Sequence, residues 1–146
     1  MISCDTNIFL HACNAQSPFQ KTATAFFGEH ADDAEFAVCE LVLMELYVLL
    51  RNPAVVSNPL SAPAAVEICR SFRRNPHWRV VDYPGSLMEE IWQRVARPET
   101  ARRSIFDARL AYTLRHHGVT QFASSNEKHF GEFGFERVWN PLQNPL

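Results

Sequence analysis

The sequence predicts an α/β fold with one central, mostly parallel β-sheet of about five strands and helices on both of its faces. The main observation is that short strand-type runs alternate with longer segments of helical spacing along the chain. A second observation is the length of 146 residues, 47% of them apolar and without an internal repeat, which predicts one domain over residues 1–146. Strands that alternate with helices in this way predict right-handed connections and a sheet covered on both faces.

The predicted strands are short runs rich in apolar and β-branched residues. They cover residues 1–4, 35–38, 78–81, 119–123 and 135–139. Between them, Ser86 and Ser104 each begin a four-residue pattern that predicts a capping box at the start of a helix, and the second helix is expected to stop at Gly118. Helices are also expected around residues 22–27 and 41–50. The proline-rich residues 51–63 are too few to separate two domains.

Composition excludes some classes of protein. The formal net charge of −2 is not that of a strongly basic nucleic-acid binder, although it allows local basic patches. The four cysteines form no C-x-x-C pair and are predicted to be reduced core residues. No secretory signal and no apolar run of about 20 residues is visible. These features predict a cytoplasmic protein with no membrane association.

Polar residues follow two of the predicted strands directly. Asp5 follows the first strand, and Ser124 to Asn126 follow the fourth. Because ligands of open α/β sheets bind at the carboxyl ends of the strands, these side chains are expected in one cleft. A purely structural role is open for each of them, since Asp5 would suit the N-cap of a helix and Asn126 an ordinary turn.

Glu45 lies in the middle of an apolar helix. The residues three and four positions away on both sides are all apolar, so its carboxylate shares their stripe. An ionised carboxylate on a core-facing stripe is costly unless an arginine, a lysine or a metal compensates it. The alternative is that the stripe rotates and Glu45 reaches solvent beside Arg51 or Glu40.

Asp107 taken alone is explained by its position in the first turn of a helix, where a carboxylate favours the helix dipole. Together with Asp5 and Glu45, however, it would complete a set of three carboxylates in one cleft. Such a set repels itself unless a divalent cation is bound. Hard oxygen ligands without a His or Cys cluster indicate Mg²⁺ or Mn²⁺.

The chain resembles the PIN-domain ribonucleases, and most closely the VapC toxins of bacterial and archaeal toxin–antitoxin pairs. The resemblance extends over nearly the whole chain. It rests on "CDTNIFLHA", "ELVLMELYVLL", "SIFDARLAYTLRHHG", "FASSNEKHF" and "FERVWNPL". It implies the three-layer PIN fold and an Mg²⁺- or Mn²⁺-dependent endoribonuclease that acts as a toxin. The partners it implies are an RNA substrate, a VapB-type antitoxin and a second copy of the chain in a homodimer.

The resemblance also assigns roles to residues. The metal ligands it implies are Asp5, Glu45 and Asp107, the catalytic set adds Asn126, and the supporting hydroxyls are Thr6 and Ser124. The fourth motif departs from the usual pattern, in which Thr-x-Asp or Thr-x-Asn precedes Asp-Phe. This chain has Ser124, Ser125 and Asn126, then His129 and Phe130. Asn126 can still offer an oxygen, but it removes one negative charge and so disfavours a tightly held second metal.

An acidic cleft needs flanking cations if it is to bind a polyanion. The predicted RNA-binding residues are Arg102, Arg103, Arg109 and Lys128. A second arginine group, Arg70, Arg73 and Arg74, shares one helical face, and a solvated surface is the competing interpretation for each arginine. No histidine is predicted to be catalytic.

Two other functions remain open from the sequence. In the first, Asn126 marks a catalytically degenerate PIN-like module that binds RNA or a protein without cleaving. In the second, Asp5 is the covalent nucleophile of a phosphatase similar to haloacid dehalogenases. Those enzymes need another aspartate two residues later, where this chain has Asn7.

Overall fold

The computed structural model describes residues 1–143. Its five strands are β1 (Ile2–Cys4), β2 (Ala37–Cys39), β3 (Arg79–Val81), β4 (Gln121–Ala123) and β5 (Arg137–Trp139). All paired strands are parallel, in the groups β1-β4-β5 and β2-β3, and a parallel bridge between Ile2 and Phe36 joins the two groups. Four of the strands lie within predicted segments, and β2 extends one residue beyond the predicted segment 35–38. The prediction of a mostly parallel sheet of about five strands is therefore confirmed.

Within residues 1–143, seven α-helices flank the sheet. They are α1 (Thr6–Cys13), α2 (Gln20–Glu29), α3 (Glu40–Leu50), α4 (Ala62–Arg73), α5 (Met88–Val95), α6 (Ser104–His116) and α7 (Glu127–Phe130). Helix α1 packs against α2 and α3, α3 packs against α4, and α5 packs against α6. Within the described residues no helix has the length and apolar character needed to cross a bilayer. The four cysteines carry free thiols.

The two predicted capping boxes are wrong. Ser86 lies inside a 3₁₀ turn (Gly85–Leu87), and Ser104 is already the first residue of α6. The capping positions belong to Leu87 and Arg103, which have right-handed helical backbone angles and make no side-chain cap. Both helices thus continue from a preceding turn, whereas a serine cap requires extended backbone. The predicted stop of α6 is correct, since Gly118 takes the positive φ of +89° typical of a helix end.

An aromatic cluster fixes α1 against the sheet. The Phe9 ring of α1 lies 4.5 Å from that of Phe27, and Phe36, next to β2, lies 4.6 Å from Trp78. Phe9 and Phe36 are fully buried. Because Asp5 directly precedes α1, this packing also fixes the position of the first predicted site residue.

Candidate active site

Asp5 is held at the end of β1 by hydrogen bonds to both neighbouring elements. Its backbone N–H donates to the carbonyl of Ala123 on β4 at 2.9 Å. The Thr6 N–H donates to one carboxylate oxygen at 2.8 Å, and the Ser124 hydroxyl donates to the other at 3.0 Å. Asp5 therefore caps α1 and also lies beside the residues that follow β4. The residue is 9% exposed, so few other groups reach it.

Glu45 turns from α3 toward α1. The Thr6 hydroxyl donates to its Oε2 at 2.7 Å, so one threonine contacts both Asp5 and Glu45. The alternative position of the Glu45 side chain, in solvent beside Arg51 or Glu40, is therefore not observed. Arg51 instead donates to the Tyr47 hydroxyl, and Glu40 accepts from an arginine of α4. Glu45 is half-buried at the edge of the apolar stripe.

Asp107 approaches from the first turn of α6. Its carboxylate lies on the same groove as Glu45, together with Arg103 and His129. The His129 Nδ1 is 3.7 Å from Asp107 Oδ2, so the two form an ion pair when the imidazole is protonated. The three predicted carboxylates come from three different places, the end of β1, α3 and α6, and the fold brings them to one edge of the sheet.

The carboxylates also affect one another's ionisation. Burial is the largest cause that raises the pKa of Asp5, Glu45 and Asp107 above their ordinary values. Repulsion adds to it: Asp107 raises the pKa of Asp5, Asp5 raises that of Glu45, and Glu45 raises that of Asp107. Positive charge opposes this effect, because His129 lowers the pKa values of Asp5 and Asp107 and Arg103 lowers those of Glu45 and Asp107. The site thus carries concentrated negative charge that His129 and Arg103 offset only in part.

The donor set fits a hard divalent cation held partly through water. All three groups are carboxylates, the ligand type that Mg²⁺ and Mn²⁺ take. Among residues 1–143, no three His, Cys, Asp or Glu side chains stand close enough to hold an ion directly. Mg²⁺ does not need such a cage, because it usually keeps several waters and binds through one or two carboxylates. The arrangement therefore suits Mg²⁺ or Mn²⁺ better than a closed structural zinc site.

The residues after β4 support Asp5 in different ways. Ser124 is fully buried, and its hydroxyl both donates to Asp5 and accepts from the backbone N–H of Asn126 at 3.0 Å. Asn126 is exposed at the N-cap of α7, where its side chain makes no capping bond. Its link to Asp5 thus runs through its backbone and Ser124. His129 is the site neighbour that the sequence interpretation missed, and the signal was its place in the fourth motif, where the pattern that the chain resembles has an aspartate.

The four predicted RNA-binding cations do not all lie beside Asp107. Arg103 lines the groove beside Asp107, and Lys128 lines an adjoining groove that also contains Asp107. Arg102 is exposed one residue before Arg103. The Arg109 guanidinium instead lies 3.7 Å from the centre of the Tyr83 ring, in a cation–π contact. Arg103 and Lys128 are therefore the two whose placement suits a substrate at Asp107.

Thr6 offers a direct test of how the carboxylates are positioned. Thr6→Val keeps the shape of this buried side chain but removes the hydroxyl that orients Glu45. If Glu45 is a metal ligand, as the sequence predicts, we expect RNA cleavage to fall by roughly 10- to 100-fold, the usual cost of losing a group that orients such a ligand. The free energy of unfolding should fall by only about 1 kcal/mol. Cleavage rates and urea denaturation of both proteins measure the two effects.

Thr113→Val is the matched control for Thr6→Val. Thr113 is equally buried, and its hydroxyl donates to a backbone carbonyl within α6 at 2.7 Å. Its loss should change stability without changing cleavage. Equal cleavage by the Thr6 and Thr113 variants would show that the Thr6 hydroxyl does not organise the site.

Comparisons with known proteins agree with this fold. The family model for the PIN domain matches residues 2–136. Ribonuclease VapC24 of Mycobacterium tuberculosis is 54% identical over 142 residues, which cover 97% of each chain. An identity of this size over almost the full length indicates a shared family and not only a shared fold.

Solved structures with similar folds are more distant in sequence. The crystal structure of VapC20 of Mycobacterium tuberculosis, described as a sarcin–ricin loop cleaving toxin, has a TM-score of 0.65 at 21% identity and covers 84% of this chain and 87% of its own. FitAcB from Neisseria gonorrhoeae has a TM-score of 0.64 at 17% identity, with 97% and 98% covered. At these identities the two structures support the fold alone.

Proposed function

We propose that this chain, which belongs to the PIN-domain family and to its VapC-type ribonuclease toxins, cleaves RNA internally with a divalent cation held by Asp5, Glu45 and Asp107. The observation that carries the proposal is the convergence of these three carboxylates from the end of β1, from α3 and from α6. The part of the chain that the structure describes gives no structural reason for placing three mutually repelling carboxylates together. A bound cation would convert that repulsion into binding energy.

Each residue has a defined part in this proposal. When bound, Mg²⁺ or Mn²⁺ would lower the pKa of a water molecule and offset the charge that develops on the phosphodiester. Asp5, Glu45 and Asp107 would hold the cation, and Thr6 and Ser124 orient two of these carboxylates. Arg103 is placed to contact a phosphate beside Asp107. Asn126 contributes by fixing Ser124 through its backbone, and its exposed amide is available to the substrate.

The partners we propose follow from the family. They are RNA, a VapB-type antitoxin and a second copy of the chain in a homodimer, with the chain acting in the cytoplasm as one PIN domain over residues 1–146. The groove of about 960 Å³ beside the site supports an antitoxin that covers it, because the exposed apolar side chains Met44, Val48 and Phe106 line this groove.

Cleavage of total cellular RNA by the purified protein tests the proposed activity. We expect fragments with 5′-phosphate and 3′-hydroxyl ends in Mg²⁺ or Mn²⁺, as the family resemblance implies, and intact RNA in EDTA. Fragments that form equally well in EDTA would contradict the metal dependence. Intact RNA under every condition, from a protein that still binds the cation, would contradict the nuclease itself.

The raised carboxyl pKa values give a pH prediction for the metal. In the metal-free protein, burial and repulsion raise these three pKa values above the unfolded ones, so the folded state binds protons more tightly. That stabilisation is complete below the unfolded pKa of about 4 and is lost as the pH rises through the raised values. Metal binding requires the ionised forms, so it becomes stronger over the same range.

Thermal melts with and without Mn²⁺ at pH 5 and pH 8 measure this effect. At about 100 times the dissociation constant, Mn²⁺ should stabilise the protein by about 2.7 kcal/mol at pH 8, and by clearly less at pH 5. Glu45→Gln should melt at the same or a higher temperature without metal and should lose most of the Mn²⁺ effect. A shift that is equal at both pH values would contradict binding through these carboxylates.

A catalytically degenerate module is the second candidate function. The exposed amide of Asn126 favours it, as does His129 at a position where the family resemblance implies an aspartate. Such a module would bind RNA without cleaving it and would show no Mn²⁺ effect in the melts.

A further inference from the structure

Two grooves meet at Asp107. The main groove, described above, runs between α3, α4 and α6. A side groove of about 510 Å³ runs from the end of α5 past the connection to α6 and along α7. Arg103, Asp107 and His129 line both grooves. A nucleic-acid strand can therefore reach Asp107 along either of two paths.

The main groove is a poor match for a phosphodiester chain. Its walls are largely apolar, and two of its three arginines are already engaged. Arg73 donates to Glu40 at 2.7 Å, and Arg70 donates to Glu67 at 2.9 Å. An RNA strand along this groove would have Arg103 as its main cationic partner. The charged backbone of the RNA would also cover exposed apolar side chains.

The side groove offers cations that carry no intramolecular pair. Within the described part of the chain, no carboxylate forms an ion pair with Arg97, Arg103 or Lys128. Glu132 in this groove is held by an arginine of α5 at 3.2 Å, so its charge is offset. Glu99 is the exposed acid at the rim that opposes a polyanion. The unpaired charge along this path is mainly positive up to the edge of the acidic site.

We propose that single-stranded RNA reaches the active site along the side groove, with backbone phosphates on Arg97 and Lys128 and with Arg103 at the junction. This inference rests on the proposed nuclease function and adds the path of the substrate. The volume of the groove is that of a small-molecule site, so it holds a few nucleotides of a single strand and not a duplex. Contacts between charged side chains and phosphates do not depend on the base sequence, so these cations would position the RNA without selecting its bases.

The test measures binding of a fluorescein-labelled oligouridine of about 12 nucleotides by anisotropy, in EDTA and over a series of salt concentrations. The double variant Arg97→Gln/Lys128→Gln should bind roughly 20-fold more weakly at about 0.1 M salt, because each phosphate contact contributes about 0.7 to the salt slope. Its slope should fall by about 1.4. Glu99→Gln should change affinity in the opposite direction and bind the oligonucleotide more tightly. The three side chains are exposed, so circular dichroism should show folded variants.

Two controls separate this path from general surface charge. Arg74→Gln removes an exposed arginine that lines neither groove, and Arg70→Gln/Arg73→Gln removes two charges from the main groove. Both should keep the wild-type affinity and slope. A loss of binding in the main-groove variant, with normal binding in the Arg97/Lys128 variant, would overturn the proposed path.

Cleavage by the wild-type protein in Mg²⁺ distinguishes failure of the path from failure of the function. The path alone is overturned if the wild-type protein cleaves RNA and the Arg97→Gln/Lys128→Gln variant binds the oligouridine with the same affinity as Arg74→Gln. A wild-type protein that neither binds the oligouridine nor cleaves RNA overturns the path and the proposed function together.

Discussion

Asp5→Asn is expected to lower metal-dependent RNA cleavage by roughly 100-fold or more, because it removes the most buried of the three carboxylates. The amide oxygen can still accept from the Thr6 N–H, so the cap of α1 remains. The substitution also removes a buried charge whose pKa is raised by burial and by Asp107. The melting temperature without metal should therefore be unchanged or higher. Cleavage assays and thermal melts of the same preparation measure both effects.

Asp32→Asn is the control for this substitution. Asp32 is highly exposed and lies outside both grooves, so its loss should leave cleavage at the wild-type rate. Full cleavage by the Asp5→Asn variant would show that Asp5 is not an active-site residue. Asp5→Asn that has simply unfolded would show a lower melting temperature, which the account does not predict.

Phe36→Ala should produce the largest loss of stability among these substitutions. The ring is fully buried and packs against the rings of Phe26, Phe27, His30 and Trp78. Truncating a buried phenylalanine to alanine costs about 3–5 kcal/mol, a large part of the 5–15 kcal/mol that stabilises a typical domain. The bridge from Phe36 to Ile2 also joins β2 to β1, so the loss should weaken the sheet beneath the site.

Urea denaturation measures the expected change for Phe36→Ala. Phe106→Ala serves as the comparison, because Phe106 is 53% exposed on α6 and its loss should change the free energy of unfolding by no more than about 0.5 kcal/mol. If the two variants lost equal stability, the aromatic cluster around Phe36 would not be the main support of β2.

The strands and the acidic cluster were predictable because both depend on simple periodic signals. Buried parallel strands are nearly continuous apolar runs, and residues that follow them must lie at one edge of the sheet. Asp5 follows such a run, and Glu45 interrupts an apolar helix, where a carboxylate needs a compensating partner. The Thr6 hydroxyl supplies part of this compensation, and the two neighbouring carboxylates create the need for the rest.

Other features depend on local backbone angles and long-range contacts that a sequence pattern does not encode. Ser86 and Ser104 each begin the sequence pattern of a capping box. However, the residues at the capping positions already have right-handed helical backbone angles. Arg109 is close to Asp107 in sequence, yet its guanidinium stacks on Tyr83, far along the chain from α6. His129 meets Asp107 because α7 follows β4 at the edge of the sheet, a contact between helices separated by a strand.

Counting bound Mn²⁺ by electron paramagnetic resonance tests the central claim most directly. The wild-type protein at pH 8 should bind Mn²⁺ stoichiometrically, and Asp5→Asn, Glu45→Gln and Asp107→Asn should each lose most of this binding while remaining folded. Equal Mn²⁺ binding by the wild-type protein and a variant lacking all three carboxylates would contradict the claim that folding gathers them to hold a cation.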